Sequence, residues 1–174
     1  LSYFCINMET IINKVAESGI VTLDLAPFIP GDTIAAFDIR PFLFREMILR
    51  EKDYRAALAE YDWQQFSGRH VAIYCTADAI VPVWAYMLAV FYLQNIAASV
   101  YFGTPTELIK VIIEKRIAAI DANEYEGKRV VLKGCGDTHI PEAAYVAATQ
   151  HLLPVVKSLM YGEPCSTVPV FKRK

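Results

Sequence analysis

The second half of this 174-residue chain repeats itself, and that repeat limits the possible folds more than any other feature. Residues 66–105 slide onto 125–164 with a constant offset of 59 and no gap. Eleven of 40 positions are identical: Gly68/Gly127, Val71/Val130, Asp78/Asp137, Pro82/Pro141, Ala85/Ala144, Tyr86/Tyr145, Ala89/Ala148, Leu93/Leu152, Ser99/Ser158, Gly103/Gly162 and Pro105/Pro164. Ordinary composition would give about 2–3 identities by chance. Arg69/Lys128, Ile73/Leu132, Val81/Ile140 and Phe102/Tyr161 are conservative pairs between them. A duplicated unit of sequence implies a duplicated piece of structure.

Each copy reads strand–loop–helix–strand. Val71-Ala72-Ile73-Tyr74 and Ser99 to Phe102 are the strands of the first copy; Val130-Val131-Leu132 and Ser158 to Tyr161 are those of the second. Strands separated by 12–16 helical residues form right-handed parallel crossovers. The fold class is therefore α/β: a parallel or mixed sheet on two repeated βαβ units. Strands 71–75, 99–102, 130–134 and 158–161 are expected in one sheet. Between the copies, Thr104-Pro105-Thr106-Glu107 carries the N-cap, first-turn proline and capping-box glutamate of a helix running to about Ile120. Upstream, Met8 to Ser18 and Glu51 to Tyr61 read as helices. Ile20 to Leu25 and Thr33 to Ile39 read as an N-terminal hairpin around Pro30-Gly31-Asp32. No linker divides the chain, so residues 8–174 are expected to form one domain, with residues 1–7 an extension or an expression remnant.

The net charge of −2 offers no basic stripe for nucleic acid. Cys5, Cys75, Cys135 and Cys165 are too few and too far apart for a disulfide framework, and the compartment expected is the reducing cytoplasm. Ala79 to Thr106 holds no charged residue, yet the run breaks at Pro82, at Gln94-Asn95 and at the strand from Ser99. The helix from Pro82 to about Ile96 is thus too short to span a bilayer, which takes about 20 apolar residues. Its counterpart, Pro141 to Val156, carries Glu142, Gln150 and His151 on a wet face. The first helix has no such face: Trp84, Tyr86, Phe91 and Tyr92 surround it, more than one sheet can bury. A homodimer with this helix at or beside the interface is the expectation.

Any chemistry should sit beyond the carboxyl ends of the parallel strands, where helix N-termini point. Both copies place a cysteine there, in Tyr74-Cys75-Thr76-Ala77-Asp78 and in Gly134-Cys135-Gly136-Asp137-Thr138-His139. The alignment sets Thr76 opposite Cys135 and keeps Asp78 and Asp137 in step. If the first strands of the copies are neighbours, a spacing of about 4.8 Å brings both cysteines to one ligand. Cys165 follows the last strand, and Pro169 argues against a long helix after it, so the tail is expected to fold over the same edge. Cys75, Cys135, Cys165 and His139 then make a soft set for zinc or an iron–sulfur cluster. Alternatively, Cys75 or Cys135 is a nucleophile oriented by Asp78, Asp137 or His139. The plainer reading has the cysteines pack as small buried residues, Asp78 and Asp137 cap helices, and His139 sit exposed in a loop. His70, at the opposite edge, and His151, on a helix, read as structural.

Three segments, Cys75-Thr76-Ala77-Asp78-Ala79-Ile80-Val81-Pro82-Val83-Trp84-Ala85-Tyr86-Met87-Leu88, Lys133-Gly134-Cys135 and Met160-Tyr161-Gly162-Glu163-Pro164-Cys165-Ser166-Thr167-Val168-Pro169, resemble an uncharacterised bacterial family, number 2480 in the series of domains of unknown function. The likeness runs from Met8 to Lys174. It implies a small cytoplasmic protein with no established activity. Through an association with sulfur mobilisation, it also implies iron–sulfur assembly partners. No catalytic residues come with the resemblance. Three functions compete: a thiol-based accessory protein binding metal, cluster or sulfur; a cysteine-nucleophile enzyme; and an interaction protein whose cysteines only pack.

Overall fold

The structure is a computed structural model in which residues 19–133, 139–163 and 166–174 are described. The expected helix from Met8 to Ser18 lies outside the described residues. Strands β1 (Ile20–Leu23) and β2 (Ile34–Asp38) lead to a small hairpin, β3 (Leu43–Phe44) and β4 (Ile48–Leu49). Helix α1 (Glu51–Glu60) follows, then β5 (His70–Tyr74), α2 (Val83–Leu93) and β6 (Ser99–Phe102). Helix α3 (Pro105–Ala118) leads into β7 (Arg129–Lys133), α4 (Glu142–Leu152), β8 (Ser158–Glu163) and β9 (Ser166–Lys172).

Local sequence explains most of these boundaries. Thr104 and Glu107 form the reciprocal capping box at α3, with Pro105 at its first position and Lys115 and Arg116 in its last turn. Pro82 and Pro141, both extended, stand at equivalent entries to α2 and α4. Helix α2 ends at Leu93, sooner than expected, because the chain must turn back to the start of β5. There Gly68 N–H donates to the Ile96 carbonyl and Ala98 N–H to the Arg69 carbonyl. The second copy makes the same bonds, Gly127 to Val155 and Lys157 to Lys128. In β5, Val71, Ala72 and Ile73 are buried in succession, as are Val130, Val131 and Leu132 in β7. A strand covered on both faces reads as such a run.

The strands divide between two sheets, contrary to the expectation of one. Val71 belongs to the three-stranded sheet β2-β5-β6, and Val130 to the four-stranded sheet β1-β7-β8-β9. Within each copy the two strands pair in parallel and in the same register, His70 with Ser99 and Arg129 with Ser158. The N-terminal hairpin is also corrected. β1 pairs in parallel with β7, and β2 in parallel with β5, so consecutive strands serve different sheets. Two 3-10 turns, Ala26–Phe28 and Gly31–Thr33, carry the chain between them where a tight hairpin turn was expected. The second copy is thus flanked on both sides, by β1 and β9, whereas β6 of the first copy is an edge strand of its own sheet.

The tail does not cross the carboxyl edge after Ser166. It returns along β8 as antiparallel strand β9, pairing Glu163 with Ser166 and Ser158 with Lys172. Pro169 is accommodated because β9 is an edge strand, with a register shift beside Leu159/Met160.

Each sheet packs its own apolar core. One gathers Phe37, Ile39, Tyr54, Leu58, Trp63 and Phe66 around Ala85, Ala89 and Leu93 of α2. The other gathers Leu23, Leu25, Val130 and Leu159 around Ala144, Ala148 and Leu152 of α4. Helix α3 serves both: Leu108 and Ile112 pack on Ala72 of β5, while Ile113 and Ile117 enter the core of the second sheet. Among the described residues no helix is long and apolar enough to cross a membrane.

Candidate functional site

β5 is the central strand of its sheet, and Cys75 is the first residue beyond it. Its neighbours at this carboxyl edge are set by parallel pairing, which aligns Asp38 at the end of β2 with Tyr74. Asp38 then organises the turn. Its Oδ1 accepts the backbone N–H of Thr76 at 3.0 Å and that of Arg40 at 2.9 Å, and its Oδ2 accepts the Thr76 hydroxyl at 2.5 Å. Burial pushes the Asp38 carboxyl up, but the hydrogen bonds from Thr76 and Arg40 outweigh it and hold the group below its usual range. The half-buried Cys75 thiol has the Ala77 carbonyl 3.8 Å from its Sγ.

Two further side chains belong to this edge, Arg40 just beyond β2 and Tyr86 on α2. The Arg40 guanidinium bonds Glu46 at 2.9 and 3.1 Å, and that bond leads the causes that push Arg40 above its ordinary value. Asp38 and Cys75 act on it in the same direction through their charge. Tyr86, on α2, is raised by burial first, then by Cys75 and Asp38. Its phenol stays protonated beside the thiol, and its ring meets Phe102 edge-on at 5.0 Å. Glu46 reaches Arg40 from the β3–β4 hairpin, where Arg45 and Glu46 both adopt positive φ (52° and 58°). Consecutive positive φ values belong to the tight turn of this hairpin, which non-glycine residues enter at some cost.

The corresponding edge of the second sheet is built alike and charged differently. Asp24, at the end of β1, accepts the backbone N–H of Ala26 at 2.9 Å, as Asp38 does from Arg40. The place of Arg40 is thus taken by Ala26. The second carboxyl oxygen of Asp24 binds the Lys133 ammonium at 3.2 Å. Tyr145, equivalent to Tyr86, donates to the Lys133 carbonyl and meets Tyr161 edge-on at 5.4 Å.

The neighbouring strands on which the expected metal set was argued are not neighbours. Cys75 follows β5 of one sheet, while β7, which leads toward Cys135, belongs to the other. Cys135, Asp137 and Cys165 lie outside the described residues. Among the described residues, no group of three His, Cys, Asp or Glu side chains could hold a metal ion. His139 is exposed. Asp78 is exposed as well and does not cap α2, whose N-cap is Pro82 without a side-chain bond. The other two histidines have structural partners: His70 Nδ1 is 2.8 Å from the Ser99 hydroxyl, and His151 Nε2 is 2.8 Å from the Ile120 carbonyl.

Asp38 and Arg40 were missed from sequence, although a signal was present. Ile20-Val21-Thr22-Leu23-Asp24-Leu25-Ala26-Pro27-Phe28 and Ile34-Ala35-Ala36-Phe37-Asp38-Ile39-Arg40-Pro41-Phe42 align with identical Ile, Asp, Pro and Phe. The offset here is 14, not 59, because β1 and β2 follow one another directly while the units they join lie far apart. Read together, the two short repeats mark one strand-end aspartate per sheet.

These features define a class: an α/β protein with two parallel-pairing sheets and a half-buried thiol at the carboxyl edge of one. The chain belongs to the family described as protein of unknown function (DUF2480), whose profile matches residues 9–173. No curated protein and no solved structure matches it.

Proposed function

We propose that the protein is a thiol-based protein in which Cys75 acts as a nucleophile at the carboxyl edge of the β2-β5-β6 sheet. The observation that supports this reading is the setting of the half-buried Cys75 just beyond a central parallel strand, on a turn that Asp38 ties down through the Thr76 N–H and hydroxyl. The thiolate is the form of a cysteine that attacks. In the step envisaged, the Cys75 thiolate forms a bond to an electrophilic carbon or sulfur. The bond to the leaving group breaks and its electron pair leaves with that group, which takes a proton from Tyr86 or solvent. Asp38 is a positioning residue and Arg40 an electrostatic one. The split between the two sheets favours this reading over shared metal ligation by Cys75 and Cys135.

Alkylation by iodoacetamide at pH 7, followed by peptide mass spectrometry, tests it. Cys75 is expected to react at least about tenfold faster than a free small thiol. Arg40→Ala should remove most of that advantage, and Arg40→Lys should keep part of it. A Cys75 that reacts no faster than the small thiol, or is indifferent to Arg40→Ala, sinks the proposal. Zinc or iron bound near one per chain, and lost in Cys75→Ser and Cys135→Ser alike, would establish the metal reading instead.

A further inference from the structure

Helix α2 is covered on its flanks by its own chain. The Trp84 ring lies 6.0 Å from Tyr54 with the Arg55 guanidinium over it, and Tyr92 stacks on Trp63 at 5.0 Å and 2°. Ala85, Ala89 and Leu93 face the core. What remains is a stripe at helical spacing, Val83, Met87, Val90 and Phe91, flanked at its N-terminal end by Ile80 and Phe102. All six are exposed. Together their exposed fractions amount to about four whole residues, roughly 600–800 Å² if each is taken at the lower part of the aromatic range.

We infer that this stripe is the interface of a two-fold homodimer. The amount of surface matches the requirement, since a stable standard-size interface buries about 800 Å² per partner. A contiguous apolar patch of that size is rarely left open on a monomer. The fold itself does not ask for it. The positions equivalent to Val83, Met87, Val90 and Phe91 on α4 are Glu142, Val146, Thr149 and Gln150, on a helix with the same buried residues. Residues 79–106 carry no charge, so the patch has nothing with which to select a charged partner. The same absence lets it meet its own copy across a two-fold axis without like-charge repulsion. Methionine and phenylalanine at the centre of a charge-free surface are the composition of an interface core.

Sedimentation equilibrium at micromolar concentration provides the test. The wild-type chain should run at twice its 19.5 kDa monomer mass. Met87→Glu combined with Phe91→Glu should weaken dimerisation at least about thirtyfold. Circular dichroism checks that the variant is folded, and the milder Met87→Gln gives a second reading if it is not. A wild-type chain that stays monomeric overturns the inference, whether or not it floats with phosphatidylcholine vesicles. So does a dimer whose affinity is unchanged in a folded variant. Neither result bears on Cys75, which is tested by its own reactivity.

Discussion

Helices α2 and α4 occupy corresponding places in the two halves, share their buried face and differ on their flanks and outer face. Their buried residues are the same amino acids, Ala85/Ala144, Ala89/Ala148 and Leu93/Leu152, all wholly buried. Their outward positions share nothing: Val83, Met87, Val90 and Phe91 on one, Glu142, Val146, Thr149 and Gln150 on the other. Two alanines and a leucine let each helix lie close on its sheet, where volume changes of even one methylene are felt. The outer face is under no such constraint. Its divergence therefore reports what each half does once folded, and the strand ends repeat the lesson. Asp24 and Asp38 hold the same backbone bond, yet one is neutralised by Lys133 while the other stands with Arg40 beside Cys75.

The largest expected effect tests the sameness of the cores. Leu93→Ala and Leu152→Ala should each cost about 2–5 kcal/mol in urea unfolding, within about 1 kcal/mol of one another. A variant losing less than about 1 kcal/mol would show that its half contributes little to the cooperative unit.

A smaller effect sharpens the contrast between the aspartates. Asp38→Ala should cost about 1–2 kcal/mol, since three donors lose their acceptor, whereas Asp24→Ala, with a half-exposed ion pair, should cost about 0.5–1 kcal/mol. The pH dependence has the same origin in both. Asp24 is lowered by the Ala26 N–H and by Lys133, and Asp38 by bonds that overcome its burial. A carboxyl with a depressed folded value contributes stability that is complete above its ordinary 3.8 and is lost as pH falls through the lower folded value. Urea midpoints measured downward from pH 5 should thus fall less steeply for the Asp24→Asn, Asp38→Asn double variant than for the wild type. Parallel slopes would contradict the assignment.

The smallest effect exchanges the outer faces. Val83→Glu gives α2 the residue that α4 carries at Glu142, in a first turn where a carboxylate suits the helix dipole. Subunit stability should move by no more than about 0.5 kcal/mol. Measured in the Met87→Glu, Phe91→Glu background, where the subunit interface is already disrupted, a loss well beyond that would mean that Val83 is packed within its own subunit.

The route from sequence to these two sites was uneven, for identifiable reasons. Helix α3 was legible almost to the residue because its capping box and first-turn proline are local signals. Strands β5 to β8 were legible because short apolar runs bracketed a helix twice over. Strand β9 was not, since Pro169 masks strand character unless the strand is known to lie at an edge. Cys75 was singled out by its place after a strand. Asp38 and Arg40 were not, because what makes them neighbours of Cys75 is the pairing of Asp38 with Tyr74 across a separation of 36 residues.

The sequence by itself determined the helices α1 to α4 and the strands β1, β2 and β5 to β8, since capping, turn chemistry and apolar periodicity act over a few residues and are written there. Only the tertiary structure decided which strands share a sheet. β1 and β2 have almost the same pattern, and each could complete either unit as far as local chemistry goes. Parallel pairing leaves no mark at the turn, unlike a hairpin, because its partners are joined through long crossovers. The choice between one sheet and two therefore rests on long-range packing around α3, and with it the separation of Cys75 from the strand that leads to Cys135.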